Sequence, residues 1–248
     1  MKKEILIIGS KGYIGKSLTK EFKKSYKITT IDKNFIKLKK ISKTDYIFFL
    51  AEQSKLNRVT NKNYKKKNIF LDHILKQMDF EKIFYFSSFL LSTNHRNSYY
   101  CFLKSNNEKK IKKVENYIIL RIANFVKKNY KKNTVLYNLK KSIKKKKILI
   151  KNSKQLIYFS DEKLLISVIK KIIKDNLKNH TFNIFYRKPI SIQKIVENFK
   201  LRFNRKVLIE YIEEKYNKKL KLIKNNKISN KFSEKINFMG EELRKIYN

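Results

Sequence analysis

A serine, a tyrosine and a lysine near the middle of the sequence have types and spacing that could move a proton. Tyr100 and Lys104 are four residues apart, so on a helix both side chains would lie on one face. An ammonium group beside a phenol stabilises the phenolate, and such a phenol can exchange a proton with a hydroxyl or carbonyl group. Ser88 ends the preceding apolar run and could hydrogen-bond the same ligand oxygen. Tyr-x-x-x-Lys alone arises easily in a chain rich in both residues, and the serine makes the pattern more specific.

A second chemical signal is a glycine cluster near the N-terminus. Three of the four glycines lie within the stretch GSKGYIG, between an apolar run and an amphipathic stretch. Gly9 would permit a tight turn, Gly12 would let a pyrophosphate approach the backbone, and Gly15 would let a helix pack closely. The next apolar run ends in Asp32, whose carboxylate could accept hydrogen bonds from an adenosine ribose. The arrangement predicts a dinucleotide site.

The elements that would position these residues alternate along the chain. Short apolar runs predict buried strands, and the lysine-studded stretches between them predict helices. The predicted strands are EILIIG (4–9), YKITTID (26–32), DYIFFLA (45–51), KIFYFSS (82–88) and NYIILRI (116–122). Alternation of strand and helix implies right-handed crossovers and a parallel sheet covered on both faces. We therefore expect an α/β fold, a Rossmann-type doubly wound parallel sheet.

Beyond residue 126 the pattern is less regular. A helix is predicted over 161–174 and a strand over 181–185. No linker rich in Gly, Ser or Pro marks a boundary, so a small C-terminal domain would be partly interleaved with the first. The predicted division is a dinucleotide-binding domain over 1–125, with 155–178 returning to it, and a substrate-binding part over 126–154 and 179–248.

The net charge is strongly positive, since 62 Lys plus Arg against 20 Asp plus Glu give +42. Such a charge can indicate nucleic-acid binding. However, only seven of the basic residues are arginine, the side chain favoured for bidentate phosphate recognition, and the lysines are spread along the chain. We interpret the charge as a compositional bias that attracts anionic ligands, and not as dedicated nucleic-acid binding.

Other classes of protein are disfavoured by the composition. No apolar run reaches the roughly 18 residues of a membrane span, and the run at residues 5–8 is too short for a secretion signal. Cys101 is the only cysteine, which excludes an intramolecular disulfide, so a cytoplasmic protein is expected. The histidines His73, His95 and His180 lack metal-ligand spacing, and no metal is predicted.

The ordered motifs resemble the extended short-chain dehydrogenase/reductase family, the NAD-dependent epimerase/dehydratase group that acts on nucleotide sugars. Besides the glycines, the segments DYIFFLAEQSKLNR, FYFSS, YYCFLKSNNE and ILRIAN carry the resemblance, which runs from about Glu4 to Ile195. It implies that Ser88, Tyr100 and Lys104 are catalytic while the nicotinamide exchanges hydride with the substrate. Lys104 would also bind the nicotinamide ribose.

The resemblance also implies binding residues. Those expected at the cofactor are Gly9, Lys11, Gly12, Tyr13, Ile14, Gly15, Asp32, Leu50, Ala51, Asn68, Tyr100 and Lys104. Ser88 and Asn124 are expected at the substrate, a nucleotide-linked sugar. The expected cofactor is NAD because Asp32 would repel a 2′-phosphate, with NADP as the alternative because Lys11 and Lys33 flank it. A homodimer is left open.

Two departures from the family pattern bear on the reaction. Ser88 and Tyr100 are closer together than is usual in extended members, which predicts a shortened loop over the substrate. Phe89 and Leu90 follow the serine where dehydratases commonly have an Asp–Glu pair, and neither can transfer a proton. We therefore expect an NAD(P)-dependent epimerase or reductase and not a 4,6-dehydratase. The alternative is a catalytically inactive protein of the same fold that senses the cofactor or binds RNA.

Overall fold

The structure is a computed structural model that describes residues 2–32, 40–51, 61–93, 98–127, 134–145, 147–186, 188–203 and 208–212. Within these ranges the chain divides into two compact units. The first extends to Ile122 and includes Val168–Asn183, and the second takes Ala123–Ser167 and the described residues from Ile184 onward. The domain boundaries given above remain a prediction.

The elements are numbered here in chain order. The strands are β1 (Glu4–Ile8), β2 (Lys27–Ile31), β3 (Lys43–Phe49), β4 (Asp79–Ser88), β5 (Tyr117–Ile122), β6 (Asn124–Val126), β7 (Lys147–Lys151), β8 (Leu156–Ile157), β9 (Phe159–Asp161), β10 (His180–Ile184), β11 (Ile190–Ser191) and β12 (Leu208–Ile212). The helices are α1 (Tyr13–Phe22), α2 (Asn61–Gln77), α3 (Tyr99–Ile111), α4 (Val135–Lys144), α5 (Glu162–Lys174) and α6 (Ile192–Phe203), with a short 3-10 helix at Phe89–Ser92.

A six-stranded sheet organises the first unit. Its strand order is β10-β5-β4-β3-β1-β2, and the five strands from β5 to β2 are parallel. The predicted Rossmann-type α/β fold is thereby confirmed. The strand order reverses at β1, which pairs with β2 on one side and with β3 on the other. In open sheets of this kind, ligands bind outside the carboxyl ends of the strands at such a reversal.

Side chains pack against both faces of this sheet. The sequences of its strands are continuous apolar runs because residues on both faces are buried. On one face the ring of Phe48 in β3 meets Phe22 of α1 edge-on at 5.2 Å and Phe84 of β4 at 5.0 Å between centroids. On the other face Phe49 of β3 belongs to a buried cluster with Ile74 of α2. Successive residues of β3 thus pack into hydrophobic clusters on opposite faces of the sheet.

Among its described residues, the second unit contains three two-stranded pairings: β6 with β9, β7 with β12, and β8 with β11. Its side-chain packing includes a buried Asp161, whose Oδ1 accepts hydrogen bonds from the Leu164 N–H and the Tyr186 hydroxyl, both at 2.8 Å. The first of these bonds satisfies an N–H group in the first turn of α5. Among the described residues, no helix combines the length and the apolar character needed to cross a membrane.

Candidate cofactor-binding and active site

The turn after β1 is shaped by two glycines. Gly9 has a φ of +95°, and a Cβ added to it would lie 3.0 Å from the backbone of Leu50 and Ala51, just beyond β3. A Cβ on Gly15 would lie only 2.3 Å from the carbonyl oxygen of Gly9. Neither position can carry a side chain without moving backbone, because the turn, the end of β3 and helix α1 approach each other too closely.

Gly12 is not required by packing in the same way. Its φ of −66° suits any residue, and among the described residues beyond its chain neighbours a Cβ on it would meet only the carbonyl oxygen of Gly9, at 3.1 Å. It is the N-cap of the ten-residue helix α1 and supplies no side-chain acceptor to the N–H groups of the first turn. A helix N-terminus with an open approach of this kind fits a pyrophosphate, which N–H donors and the helix dipole both favour.

Asp32, directly after β2, holds the glycine turn. Its Oδ1 accepts hydrogen bonds from the Ser10 hydroxyl at 3.1 Å and from the Lys11 N–H at 2.8 Å. Its Oδ2 lies 3.7 Å from the Nζ of Lys11, whose side chain is exposed. The carboxylate predicted at the ribose therefore also fixes the loop that would surround the phosphates, a role that the sequence pattern did not indicate.

Ser88 is the last residue of β4 and caps the 3-10 helix that follows. Its Oγ accepts a hydrogen bond from the N–H of Leu90 at 3.3 Å, and the residue is 8% exposed. Since this bond uses an oxygen lone pair, the hydroxyl proton remains able to donate. Phe89, the next residue, is buried.

Helix α3 carries Tyr100 and Lys104, and Lys104 contacts β4. Lys104 is 6% exposed, its Nζ donates to the carbonyl oxygen of Phe86 at 2.8 Å, and it lies 5.1 Å from the centroid of the Tyr85 ring. Tyr100, one helical turn earlier, is half-buried. The lysine thus anchors the helix to the strand residues that immediately precede Ser88.

A buried ion pair joins α3 to β5. Arg121 donates from Nε to Oε1 of Glu108 at 2.9 Å and from Nη2 to Oε2 at 2.6 Å, and the two side chains are 13% and 4% exposed. The Ser87 hydroxyl also donates to Oε1, at 2.6 Å, and the Nη1 of Arg121 donates to the Ser92 hydroxyl at 3.0 Å. The sequence analysis did not predict this network. Its only signal in the sequence is an acidic residue one helical turn after Lys104.

The remaining candidate cofactor residues are placed as follows. Leu50 and Ala51 follow β3 and face Gly9, as noted above, while Tyr13 and Ile14 form the start of α1. Asn68 lies within α2, but its side chain is outside the part of the chain that the structure describes. Lys33 also falls outside the described residues.

The candidate substrate residues fall in different units. Ser88 belongs to the first unit and Asn124 to the second. Asn124 is exposed, and its Nδ2 donates to the carbonyl oxygen of Tyr158 at 3.1 Å. Over the described ranges, no cluster of three or more His, Cys, Asp or Glu residues could hold a metal ion.

The fold and the glycine turn define a Rossmann-type α/β protein, and solved structures of nucleotide-sugar enzymes share this fold. UDP-N-acetylglucosamine 4-epimerase from Methanobrevibacter ruminantium, solved with UDP-N-acetylmuramic acid, matches with a TM-score of 0.76 and 18% identity over 99% of this chain and 96% of that chain. ADP-L-glycero-D-manno-heptose-6-epimerase from Helicobacter pylori matches with a TM-score of 0.70 and 20% identity over 86% of each chain.

A third similar structure is RMD from Pseudomonas aeruginosa in complex with NADPH, with a TM-score of 0.71 and 12% identity over 87% of each chain. No protein-family model and no curated protein sequence matches the chain. At these identities the likeness to solved structures establishes the fold, and the reaction is argued from the residues.

Proposed function

We propose that this protein is an NAD(P)-dependent enzyme that transfers hydride to or from a nucleotide-linked sugar, as an epimerase or a reductase. The observation that carries the proposal is the contact of the Lys104 Nζ with the Phe86 carbonyl oxygen at 2.8 Å. This contact anchors the helix that bears Tyr100 to the strand that ends in Ser88. The three residue types that the chemistry needs therefore belong to one anchored helix–strand pair.

The glycine turn is the proposed cofactor cradle. The first-turn N–H groups of α1 would hold the pyrophosphate, with Gly12 leaving room for its approach. Asp32 would accept hydrogen bonds from the adenosine ribose while it keeps its bonds to Ser10 and Lys11. Leu50 and Ala51 would lie beside the cofactor. Bound NAD(P) supplies a centre that accepts or donates hydride.

The chain's own residues would then handle the proton. The Ser88 hydroxyl donates a hydrogen bond to the reacting oxygen of the sugar, and Tyr100 takes the proton from a hydroxyl or gives it to a carbonyl. Lys104 holds the helix that bears Tyr100 against β4 through its bond to the Phe86 carbonyl oxygen. The same set serves oxidation and reduction, so it is compatible with an epimerase and with a reductase.

Solved structures of the same fold support a proposal for the substrate class. Two of those proteins are epimerases of UDP- and ADP-linked sugars. We propose by analogy that this chain takes a nucleotide sugar and that Ser88 contacts the sugar. Asn124 remains a candidate substrate residue within the second unit.

A thermal-shift screen tests the proposal. Ligands that bind only the native state raise its stability, by about 2.7 kcal/mol at a ligand concentration of 100 Kd. We expect NAD or NADP to raise Tm, and at least one of a panel of UDP-, ADP- and dTDP-sugars to raise it further. If neither cofactor raises Tm, the proposal is wrong. A cofactor shift without turnover of any sugar would instead favour a cofactor-sensing protein.

A further inference from the structure

The segment that contains Ser88 is bound at both ends by the Glu108–Arg121 ion pair. Ser87, just before Ser88, donates to Oε1 of Glu108, and Ser92, at the end of the 3-10 helix, accepts from Nη1 of Arg121. The Ser92 hydroxyl in turn donates to Oδ1 of Asn183 in β10 at 2.5 Å. The ion pair therefore holds the strand end and the following turn as one piece.

The same ion pair also fixes the register of α3 on the sheet. Tyr100, Lys104 and Glu108 are spaced by four residues and share one face of the helix. Lys104 bonds Phe86 and Glu108 bonds Ser87, which are successive residues of β4. A shift of the helix by one residue, about 1.5 Å along its axis, would break both contacts.

Stability alone is a weak explanation for such a pair. Taking two charges out of water is costly, and apolar side chains of similar volume often stabilise a protein as well or better. Here both oxygens of Glu108 and all three side-chain nitrogens of Arg121 have a polar partner: Glu108 accepts three hydrogen bonds, and Arg121 donates to Glu108 and Ser92. The directionality of these bonds specifies position in a way that apolar packing does not.

We propose that Glu108 and Arg121 are positioning residues, which hold the Ser88 hydroxyl and the Tyr100 phenol at the separation needed to contact one substrate oxygen. This inference rests on the proposed function. A displacement of about 1 Å between such groups can lower turnover by roughly 10²-fold. The pair thus acts through Ser88 and Tyr100 and touches neither substrate nor cofactor.

Three variants separate positioning from stability. Glu108→Leu combined with Arg121→Met removes both charges and leaves no unpaired buried ion. Ser87→Ala removes one contact and keeps the ion pair. The matched control is Asp72→Asn, which breaks the exposed ion pair between Asp72 of α2 and Lys110 of α3, where Oδ1 and Nζ are 2.7 Å apart.

Each protein carries 3-fluorotyrosine at position 100. The proteins are compared by fluorine NMR, urea unfolding and NADH titration. Turnover is measured with NAD and either UDP-N-acetylglucosamine or UDP-galactose. We expect a shifted or split Tyr100 resonance in the double variant and in Ser87→Ala, with an NADH Kd within about threefold of the parent protein. Turnover should fall by about 10-fold or more, approaching the effect of a 1 Å displacement. Asp72→Asn should match the parent in every measurement.

An unchanged Tyr100 resonance in the folded double variant would overturn the inference. If the double variant does not fold, an unchanged Tyr100 resonance in Ser87→Ala would overturn the inference instead. If the parent protein turns over neither sugar, the proposed reaction fails on these substrates, and the Tyr100 resonance alone decides whether the ion pair positions the helix.

Discussion

The α-carbon of Gly15 faces the carbonyl oxygen of Gly9 so closely that a Cβ would lie 2.3 Å from that oxygen. The same added atom on Gly12 would lie 3.1 Å from the same oxygen, and no other contact within 4 Å is found among the described residues beyond its chain neighbours. Two glycines of one motif therefore have different reasons to be glycine. Gly15 is needed by the fold, and Gly12 is proposed to be needed by the ligand.

Gly15→Ala should accordingly destabilise the protein more than Gly12→Ala does. The clash at Gly15 forces backbone apart, and overpacking of this kind costs roughly 1–3 kcal/mol, more than the roughly 1 kcal/mol that alanine gains over glycine inside a helix. Urea unfolding measures the first effect. NADH fluorescence titration should show weaker binding by folded Gly12→Ala. Parent-like NADH affinity in that variant would remove Gly12 from the cofactor site.

The protein should bind NAD more tightly than NADP, because the carboxylate of Asp32 would repel a 2′-phosphate. A repulsion of about 1 kcal/mol corresponds to roughly fivefold in Kd. Asp32→Asn is the informative variant, since an amide oxygen can still accept from Ser10 and Lys11 while the charge is removed. Its preference for NAD should shrink or reverse in paired titrations. Tighter NADP binding by the parent protein would mean that Lys11 and Lys33 outweigh Asp32.

Stability should fall below pH 4.5 in part because of Glu21. Hydrogen bonds from Lys170 and Lys24 lower the pKa of this carboxyl to about 2 from an ordinary 4.5. As the pH falls, Glu21 is therefore protonated in the unfolded chain before it is protonated in the folded protein. The contribution of Glu21 to the free energy of unfolding is complete above pH 4.5 and is lost as the pH falls towards 2. Because both lysines are exposed, we expect about 1 kcal/mol or less.

Glu21→Gln is the control for this pH effect. Urea unfolding at several pH values between 2 and 7 should show the parent protein losing its advantage over the variant as the solution becomes acidic. A stability difference that does not vary with pH would show that the Glu21 charge contributes nothing.

The protein should not dehydrate its substrate. Elimination of water from a 4-keto sugar needs an acid and a base, and the residues after Ser88 are Phe89, which is buried, and Leu90. Mass spectrometry after incubation with NAD and nucleotide sugars checks this. Unchanged mass with altered stereochemistry, or a gain of two hydrogens from reduced cofactor, is expected. Products lighter by one water would contradict it.

The sequence predicted the sheet well because burial of both faces leaves apolar runs that are easily recognised. The start of β4 was placed at residue 82, yet the strand begins at Asp79. The boundary was misplaced because a lysine is typical of the exposed end of a strand. Lys82 is instead buried inside β4, and its Nζ donates a hydrogen bond to Oδ1 of Asn176 at 2.9 Å. Burial lowers the pKa of Lys82. The hydrogen-bond partner of this lysine is distant in sequence, so the local sequence does not indicate that the lysine is buried.

The candidate site was predictable where it depends on local spacing. Tyr100 and Lys104 follow from a four-residue helical interval, and Ser98 starts that helix by accepting a hydrogen bond from the N–H of Cys101. The link between Glu108 and Arg121 depends on how α3 packs on β5, which sequence spacing does not reveal. The bonds of Asp32 to the glycine turn were missed for the same reason.

Turnover by the parent protein and by Tyr100→Phe tests whether the Tyr100 hydroxyl carries the proton during hydride transfer to or from a nucleotide sugar. Each protein is incubated with NAD and with a panel of nucleotide sugars, absorbance at the NADH band is followed, and the products are analysed by NMR. We expect reduced cofactor or an epimerised sugar with the parent protein. In Tyr100→Phe we expect turnover to fall by about 10²-fold or more, with NADH affinity nearly intact, because the hydroxyl carries the proton while the ring only packs. Turnover by Tyr100→Phe at the parent rate would contradict the account.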